Sequence, residues 1–400
     1  MCDAVRVLML SWEYPPLVVG GLGRHVEALA RELSASGHDV CVVTRGQSAA
    51  RIDEVRDGVR VVRAAVDPLA IDFTTESLLS WSQAAEHAML RAALPVVRRW
   101  RPDVIHAHDW LVTQTAITLT ESTGAPLVAT LHATEAGRHQ GWLPRPLNLA
   151  IHSVERWLAR RADEVITCSR TMRDEAAALF ELAPDRLTVV PNAIDAARWK
   201  ASAADTTAAR DRHAVPGPLV VFAGRLAHEK GVQTLLTAVR LLRPAHPELR
   251  LVVAGTGPHA ERLHARARAL RIARRVDWPG FVPEERLPAL LGAADVVVVP
   301  SLYEPFGIVA LEAVIAGAPL VVAETGGLRD LATCGVATAA FPAGDAEALA
   351  TAIEKLLADP PAARRAVARA ARIVRRDYIW PTVAARTVEI YERAAGRNVR

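Results

Sequence analysis

The sequence predicts an α/β protein built from two doubly wound parallel sheets. Short apolar runs alternate with helical patterns along most of its 400 residues, and such alternation is typical of parallel sheets covered by helices on both faces. The alternation stops once, in the stretch from Lys200 to Pro218, which is rich in Ala, Thr and charge. A chain of this length commonly folds as two or three domains. We therefore predict domains over residues 1–199 and 216–377, connected by that stretch.

Each apolar run has the length and flanking turn residues of a short buried strand. The predicted strands are residues 5–11, 40–44, 59–62, 104–107, 126–131, 164–168 and 187–190 in the first domain and 219–223, 249–254, 275–278, 296–299 and 320–323 in the second. A last helix is predicted over residues 378–396. Because ligands of such sheets bind at the carboxyl ends of strands, the loops after the strands are the places to search for a site.

Composition excludes several classes of protein. Hydrophobic residues make up 51% of the chain and charged residues 23%, as in a globular protein with sizeable cores. The net charge of +4 is small and no lysine-rich block occurs, so nucleic acid is not an expected partner. Cys41 and Cys168 lie in apolar runs and are expected to be core thiols, which favours a reducing cytoplasm. The chain begins with a strand and has no long apolar run, so neither a signal peptide nor a spanning helix is expected.

Glycines follow the first predicted strand. Ser11-Trp12-Glu13-Tyr14-Pro15-Pro16 leads to Gly20-Gly21-Leu22-Gly23-Arg24, and a helical pattern then runs to Gly37. Glycines before a helix N-terminus let backbone N–H groups approach an anion. Val26 stands where a dinucleotide fingerprint needs a third small residue, so this motif is not G-x-G-x-x-G. A plain flexible loop remains the alternative.

Two further polar motifs follow strands of the first domain. His106-Ala107-His108-Asp109-Trp110 suggests a sugar subsite, because an aromatic ring stacks on a pyranose and a carboxylate accepts hydrogen bonds from hydroxyls. No third metal ligand stands at a useful spacing, so His106 is expected to be packed or hydrogen-bonded. After the next strand, His132 precedes a polar run of Glu135, Arg138 and His139, for which a solvated loop is the alternative.

A pair of cations follows the first strand of the second domain. Lys230 lies near a predicted helix N-terminus, where the helix dipole disfavours a cation by roughly 0.3–1 kcal/mol. A bound anion would reverse that sign. Arg225, five residues earlier, could join Lys230 in clamping a diphosphate. The alternative is a pair of solvated surface cations.

A glycine turn after the next strand permits a different interpretation. Gly255-Thr256-Gly257-Pro258-His259-Ala260 fits G-x-G-x-x-A, and Asp277 follows about twenty residues later, where a nicotinamide-binding domain places an acid. Pro258 between the glycines and the helix speaks against this interpretation. A dinucleotide site would also leave Arg225 and Lys230 without a use.

Two carboxylates flank a helix that is predicted to begin near Gly307 and to end at Gly317. Glu304 lies in the loop before it, and Glu312 lies beside the apolar face that Ile308, Leu311 and Ile315 form. Burying a carboxylate is costly unless donors compensate it. Sugar or ribose hydroxyls would be such donors, and pairing with an arginine is the alternative.

The spacing of Glu304 and Glu312, with Pro305-Phe306-Gly307 after the first, resembles the E-x7-E signature of retaining glycosyltransferases of the GT-B type, glycosyltransferase family 4. The resemblance extends over nearly the whole chain. Pro191-Asn192-Ala193-Ile194-Asp195 is similar to a family motif that usually has Gly in place of Ala193. The His-Asp-Trp run and the Ser11–Pro16 opening resemble the glycogen-synthase-like α-glucan glucosyltransferase branch.

The resemblance implies two Rossmann-like domains that face a central cleft, with helix 378–396 crossing back onto the first. It implies transfer of glucose from ADP- or UDP-glucose to the non-reducing end of an α-1,4-glucan or related oligosaccharide. Catalytic roles fall on Glu304, His132 and Asp109. Donor binding falls on Gly21, Arg225, Lys230, Gly257, Val282, Glu304, Phe306, Gly307, Ile308, Val309 and Glu312. Acceptor binding falls on Tyr14, Gly20, Gly21, Arg24, Asp109, Trp110, Glu135, Arg138 and His139.

No Asp-x-Asp occurs in the chain, so a metal-bridged diphosphate is not expected, and no metal or other cofactor is predicted. The sequence leaves the oligomeric state open.

Three alternative functions remain. A GDP-mannose- or UDP-sugar-dependent transferase acting on a lipid or small molecule would use Trp81–Trp100, with Arg91, Arg98 and Arg99, for weak peripheral membrane contact, although an ordinary amphipathic helix explains that stretch. The others are an NAD-dependent oxidoreductase and a non-catalytic glycan-binding relative.

Overall fold

The computed structural model describes residues 4–17, 20–213 and 217–397. They form two compact units: the first holds the chain up to Pro191 together with the segment from Trp380, and the second holds Asn192–Ile379. The chain thus leaves the first unit at residue 191 and returns to it at residue 380. The sequence prediction had placed these borders at residues 199, 216 and 377.

The first unit is built on an eight-stranded sheet with the strand order β3-β4-β2-β1-β5-β6-β7-β8. Its strands are β1 Arg6–Ser11, β2 Asp39–Arg45, β3 Ile52–Arg56, β4 Val59–Ala64, β5 Val104–His108, β6 Leu127–Leu131, β7 Glu164–Thr167 and β8 Leu187–Val189. Neighbours are parallel except for β3, which pairs antiparallel with β4. The strand order reverses between β1 and β5, so a crevice is expected at their carboxyl ends.

Helices cover this sheet, and the last helix of the chain is one of them. They are α1 Gly21–Ala35, α2 Leu78–Trp100, α3 Thr113–Thr123, α4 Glu135–Arg138, α5 Pro146–Arg161, α6 Arg170–Phe180 and, in chain order, the fifteenth, α15 Trp380–Arg397. Val26, Leu29 and Leu33 of α1 are buried at helical spacing. α15 packs against α1, β5 and β6, and Arg393 at its end pairs with buried Glu164 of β7 at 3.4 Å.

The second unit is built on a six-stranded parallel sheet with the order β11-β10-β9-β12-β13-β14. The strands are β9 Leu219–Ala223, β10 Arg250–Ala254, β11 Val276–Gly280, β12 Val296–Val299, β13 Leu320–Ala323 and β14 Ala339–Phe341. The helices are α7 Ala203–Arg212, α8 Val232–Leu242, α9 Ala260–Ala269, α10 Leu287–Gly292, α11 Ile308–Ala316, α12 Gly326–Thr333, α13 Ala346–Ala358 and α14 Pro360–Asp377. Its strand order reverses between β9 and β12.

Three predictions about elements were wrong or incomplete. The stretch predicted as a connection, residues 200–218, contains helix α7, whose Arg210 pairs with Asp295 at 2.9 Å. Alanine favours the helix, but only Ala209 of α7 is buried, so the sequence carries no amphipathic pattern. β3 was missed because all five of its residues are exposed, and the three-residue strand β14 is too short to give a strand signal.

Helix α11 differs from the predicted one-sided helix. Its six consecutive residues from Ala310 to Ile315 are all buried, and it lies among β12, β13, α10 and α14. A helix that is apolar all round is buried all round. Its predicted C-terminal stop is present, since Gly317 adopts φ +95° at the C-cap.

Helix α2 turns its apolar side toward the protein. Met89, Ala93 and Val97 are buried, and α2 packs on β2, β4 and α3. Arg91, on the outer side, pairs with Asp67 at 3.3 Å. These contacts favour the ordinary amphipathic helix over a membrane-contacting one. Among the described residues, no helix is both long enough and apolar enough to cross a membrane.

Gly231 provides a test of how the second unit is packed. It adopts φ +70°, and a Cβ there would lie 1.7 Å from the Pro300 carbonyl oxygen. Gly317 also has a positive φ, but its Cβ would meet no atom within 4 Å. We expect Gly317→Ala to lower the free energy of unfolding by about 1–3 kcal/mol through backbone strain. Gly231→Ala should cost about 1–3 kcal/mol more, because backbone atoms must also move apart. Urea unfolding measures both, and equal losses would contradict the close approach.

Candidate functional site

The predicted donor residues of the second unit gather where its strand order reverses. Arg225 and Lys230 follow β9, and Glu304 follows the neighbouring strand β12. The next strands, β10 and β13, lie on opposite sides of this pair. The helices therefore diverge here and leave a crevice at the strand ends, which is where open α/β sheets bind ligands.

The two loops are packed together tightly enough to join Lys230 to Glu304. The missing side chain of Gly231 lets the first loop lie against the Pro300 carbonyl, and Leu302 N–H donates to the Glu229 carbonyl at 2.7 Å. As a result, Lys230 Nζ lies 2.8 Å from Glu304 Oε2, with the two side chains only 24% and 13% exposed. Ser301 Oγ donates to the same carboxylate oxygen at 3.1 Å. The structure thus brings a predicted diphosphate ligand and a predicted catalytic group into one ion pair.

Arg225 occupies a different environment. Its side chain is 64% exposed and pairs with Glu229 Oε1 at 2.6 Å. An exposed pair of this kind contributes little to stability. The guanidinium can therefore exchange Glu229 for another anion at small cost, in contrast to the nearly covered Lys230.

The N-terminus of α11 faces the same loops. Its N-cap is Gly307 at φ +95°, no side chain among the described residues caps it, and its first turn holds no acidic residue. The N–H groups of such a first turn, here including those of Ile308 and Val309, are the usual partners of a bound anion. Phe306 does not join them through its side chain, which is buried in the core.

Glu312 lies inside α11 and is buried, as expected from its place beside apolar residues. Val282, the predicted contact near the base, is half-buried next to Phe281, which is 69% exposed.

The glycine turn after β10 has a structural explanation. A Cβ at Gly257 would lie 2.4 Å from the Leu226 carbonyl oxygen, and one at Gly255 would lie 1.8 Å from that of Gly224. The glycines are therefore needed so that this turn can pack against the loop that carries Arg225. Asp277, the acid of the nicotinamide interpretation, is hydrogen-bonded to His213 Nδ1. The glycine turn and Asp277, the two features that suggested nicotinamide binding, thus both have a structural role within the protein.

In the first unit, Asp109 and His132 lie together at the carboxyl ends of β5 and β6. Asp109 adopts φ +62°, and its Oδ1 accepts a hydrogen bond from His132 N–H at 2.7 Å. Burial raises the pKa of Asp109 to about 6 and lowers the pKa of His132 to about 4. At neutral pH the imidazole is therefore uncharged and has one donor and one acceptor to offer.

Two more histidines extend this pair. His132 Nε2 lies 3.2 Å from His108 Nδ1, and the ring of His25 on α1 meets that of His132 edge to face at 4.7 Å between centroids. One ring nitrogen from each of the three histidines lies within 4.8 Å of the others, so the fold supplies a third candidate metal ligand at no useful spacing in the sequence. The sequence gives no spacing signal for it, since His25 comes from a helix more than eighty residues earlier.

His106 is the packed histidine that the sequence predicts. It is fully buried. Its Nδ1 is hydrogen-bonded to Tyr391 Oη at 2.8 Å and its Nε2 to Thr130 Oγ1 at 2.7 Å. Tyr391 belongs to α15, so this histidine helps to fix the last helix to the sheet.

Two predicted acceptor contacts lie in the core instead. Trp110 is 9% exposed and Tyr14 is 1% exposed. A ring stacks on a sugar only through an open face, so the Trp110 ring does not offer the predicted platform, and the Tyr14 ring is enclosed as well. Arg63 contacts Tyr14 by donating to its carbonyl at 3.3 Å, and burial raises the pKa of the Tyr14 hydroxyl to about 12.

Of the polar run after His132, only part faces solvent. Glu135 is buried: its N–H donates to Glu155 at 2.9 Å, and its Oε1 accepts from Asn148 Nδ2 at 2.5 Å. His139 is half-buried and lies 3.3 Å from the same oxygen. Arg138 is exposed. The solvated-loop alternative was therefore wrong for Glu135, which holds α4 in place, and Arg138 is the accessible group of the three.

The predicted glycine loop forms the start of α1. Gly20 is the N-cap, its N–H donates to Glu13 Oε2 at 3.0 Å, and no side chain among the described residues caps the helix. Gly21 and Arg24 are exposed in the first turn. This end of α1 is thus open to an anion or to hydroxyl groups.

Comparison with known proteins shows two matching families. The family described as glycosyl transferases group 1 matches residues 205–373, and the glycosyl transferase 4-like domain matches residues 20–193. Glycogen synthase of Mycobacterium tuberculosis is 44% identical over 398 residues, covering 97% of this chain and 94% of that protein.

Solved structures share the fold. Sucrose-phosphate synthase from Thermosynechococcus elongatus has a TM-score of 0.81 at 24% identity, covering 98% of this chain and 99% of that one. The catalytic domain of starch synthase IV from Arabidopsis thaliana, bound to ADP and acarbose, has a TM-score of 0.77 at 19% identity, covering 98% and 100%. The predicted fold class, a GT-B arrangement of two α/β domains, is therefore confirmed.

Glu155 predicts a pH dependence of stability. Burial raises its pKa from 4.5 to about 8. The folded protein therefore holds a proton that the unfolded chain releases. The resulting stabilisation is complete below pH 4.5 and is lost as the pH rises through about 8, by at most about 1.4 kcal/mol per pH unit. In urea unfolding between about pH 5 and about pH 8, Glu155→Gln should lose less stability than the unaltered protein. The exposed Glu76→Gln should behave like the unaltered protein. Parallel pH profiles for all three would contradict the buried proton.

Proposed function

We propose a function from one premise: the chain belongs to the glycosyltransferase family whose two domains it matches. It is therefore an enzyme, and the resemblance drawn from Glu304 and Glu312 is confirmed at the level of the family. We propose that its donor is ADP-glucose or UDP-glucose and its acceptor the non-reducing end of an α-1,4-glucan or related oligosaccharide. The relative named glycogen synthase and the starch synthase bound to ADP and acarbose support this choice.

The ion pair of Lys230 and Glu304 carries the proposal. A nearly covered cation at the crevice of the second unit has a carboxylate as its partner at 2.8 Å. A donor diphosphate offers the same kind of oxygen with more charge. We propose that it takes over Lys230, while Arg225 leaves Glu229 and binds as well. The N–H groups of Ile308 and Val309 stabilise the leaving nucleotide. This arrangement needs no metal ion.

Once the diphosphate has taken over Lys230, the Glu304 carboxylate is free to act on the sugar. The carboxylate then accepts hydrogen bonds from sugar hydroxyls and stabilises the positive charge that develops at the anomeric carbon, in a reaction that retains the anomeric configuration. The neutral imidazole of His132 orients the transferred sugar. Glu312 binds the ribose. In the first unit, Arg138, Arg24 and the open end of α1 remain the accessible candidates for acceptor contacts.

We propose that the enzyme works in the cytoplasm. Its buried cysteines Cys41 and Cys168 are free thiols, as is usual for a protein kept in a reducing compartment. Nucleotide sugar and glucan are its proposed partners.

Release of nucleoside diphosphate tests the proposed reaction. Purified protein in EDTA is supplied with ADP-glucose, UDP-glucose or GDP-mannose, each with and without a maltooligosaccharide. We expect release from a glucose donor that depends on the oligosaccharide, together with longer chains. Release from GDP-mannose alone would contradict the donor, and activity that appears only with a lipid acceptor would contradict the glucan.

Lys230→Met tests the diphosphate contact. Loss of a charge-assisted hydrogen bond should weaken nucleoside diphosphate binding by about 10- to 100-fold, as measured by titration calorimetry. Lys355→Met is the matched control, because Lys355 is exposed on α13 and should leave the affinity unchanged. If both variants bind as the unaltered protein does, Lys230 does not hold the diphosphate.

Glu304→Gln tests the catalytic carboxylate while keeping its size. Turnover should fall by about 100- to 1,000-fold, since a neutral amide stabilises less positive charge in the transition state. Unchanged circular dichroism would show that the fold is retained. A turnover within a few-fold of normal would remove Glu304 from the reaction.

A further inference from the structure

Three histidines of the first unit form a cluster for which the proposed reaction has only partial use. His25 lies on α1, His108 ends β5, and His132 follows β6. We propose that this three-histidine cluster binds a divalent transition-metal ion, with zinc as the best match. The proposed transfer needs no metal, so this ion is a ligand of the protein and not a participant in the reaction.

The distances suit such an ion. Two nitrogens bound to one tetrahedral zinc at about 2.0–2.1 Å lie about 3.3 Å apart, and His108 Nδ1 lies 3.2 Å from His132 Nε2. The largest separation in the cluster is 4.8 Å or less. The largest nitrogen–nitrogen separation therefore has to shrink by at most about 1.5 Å to reach the value found around tetrahedral zinc.

The hydrogen bonding inside the cluster also suits a metal. Imidazole binds a metal through a neutral nitrogen. Each neutral ring has one donor and one acceptor nitrogen, yet the buried His108 Nε2 has no hydrogen-bond partner among the described residues. His108 Nδ1 and His132 Nε2 are hydrogen-bonded to each other at 3.2 Å, and a cation bound between them would replace that hydrogen bond with two metal–nitrogen bonds.

The ligand set selects the kind of ion. Three imidazoles without a carboxylate favour Zn²⁺, Co²⁺, Ni²⁺ or Cu²⁺ over Mg²⁺ and Ca²⁺, which prefer oxygen ligands. Three protein ligands leave the fourth position of a tetrahedral ion open for water. His132 is partly exposed, so the ion can enter from its side of the cluster.

Occupation of the cluster has a consequence that rests on the proposed function. His132 is assigned to the transferred sugar, and a metal bound to its ring takes the nitrogen lone pair and fixes the ring. Zinc should therefore inhibit glucose transfer, and EDTA should restore it. Metal binding itself is independent of this assignment and can be measured without the reaction.

Cobalt and zinc titrations test the site. EDTA-stripped, desalted full-length protein is titrated with CoCl2, which acquires an intense visible absorption when four-coordinate, and with ZnCl2 in a calorimeter. We expect one ion per chain and at least about 10-fold weaker binding in His25→Gln and His132→Gln, since each variant removes one of three ligands. His87→Gln is the matched control, because His87 is exposed on α2, and it should bind normally. Circular dichroism identifies any variant that fails to fold, and the partly exposed His132 serves if His25→Gln fails.

The possible results of these titrations distinguish the metal site from the assignment of His132 to the sugar and from the proposed function. No binding, binding unchanged in both cluster variants, or binding lost in His87→Gln would overturn the site. Metal binding without inhibition of an active enzyme would leave the site standing and contradict the assignment of His132 to the sugar. If the protein transfers no sugar from any donor, the proposed function fails, while the cobalt spectrum still decides the metal site.

Discussion

The contact between Lys230 and Glu304 is the interaction on which the proposed donor site depends. It joins the loops after β9 and β12, the two strands at which the order of the sheet reverses. It forms because Gly231 lets one loop lie against Pro300. Separating two half-buried charges without a substitute partner leaves each of them partly desolvated and unpaired, which is costly. In the proposed reaction a nucleotide diphosphate is that substitute, so binding of the donor and release of the carboxylate become one event.

In the first unit, burial of polar groups determines which candidate site residues carry a charge. Its site candidates lie among buried polar groups, where a charge is expensive. Burial keeps His106, His108 and His132 neutral, and it raises the pKa of Asp109 and Glu155. The groups that stay accessible, Arg24 and Arg138, lie at the edge of this region. The histidines of this interior thus keep their geometry through uncharged hydrogen bonds, and the arginines at its border are the accessible charges.

Much of the fold could be predicted because buried parallel strands are continuous apolar runs. Val296–Val299 is the clearest case, since all four residues are valine and all are buried. β3 and α7 could not be predicted from apolar periodicity, because their residues are exposed or small. The helix α7 is held instead by Arg210 and Asp295, a contact over 85 residues of sequence.

Candidate site residues could be named one by one from the sequence, but their arrangement could not be predicted. Lys230 and Glu304 each stood out through a local motif, whereas their pairing spans 74 residues and depends on the packing of two loops. The burial of the Trp110 and Tyr14 rings could not be predicted, because burial is decided by neighbours that lie far away in the sequence. His25 carried no local signal at all, since its two partners lie on other elements of the sheet.

The affinity of Glu304→Gln for the released nucleoside diphosphate, measured by titration calorimetry in EDTA, tests the central claim most directly. If Glu304 holds Lys230 only until the diphosphate arrives, removal of its charge frees the lysine. The variant should then bind the nucleotide as tightly as the unaltered protein or more tightly, although it turns over slowly. A loss of affinity as large as that expected for Lys230→Met would show that the carboxylate supports nucleotide binding, and it would contradict the exchange of partners at Lys230.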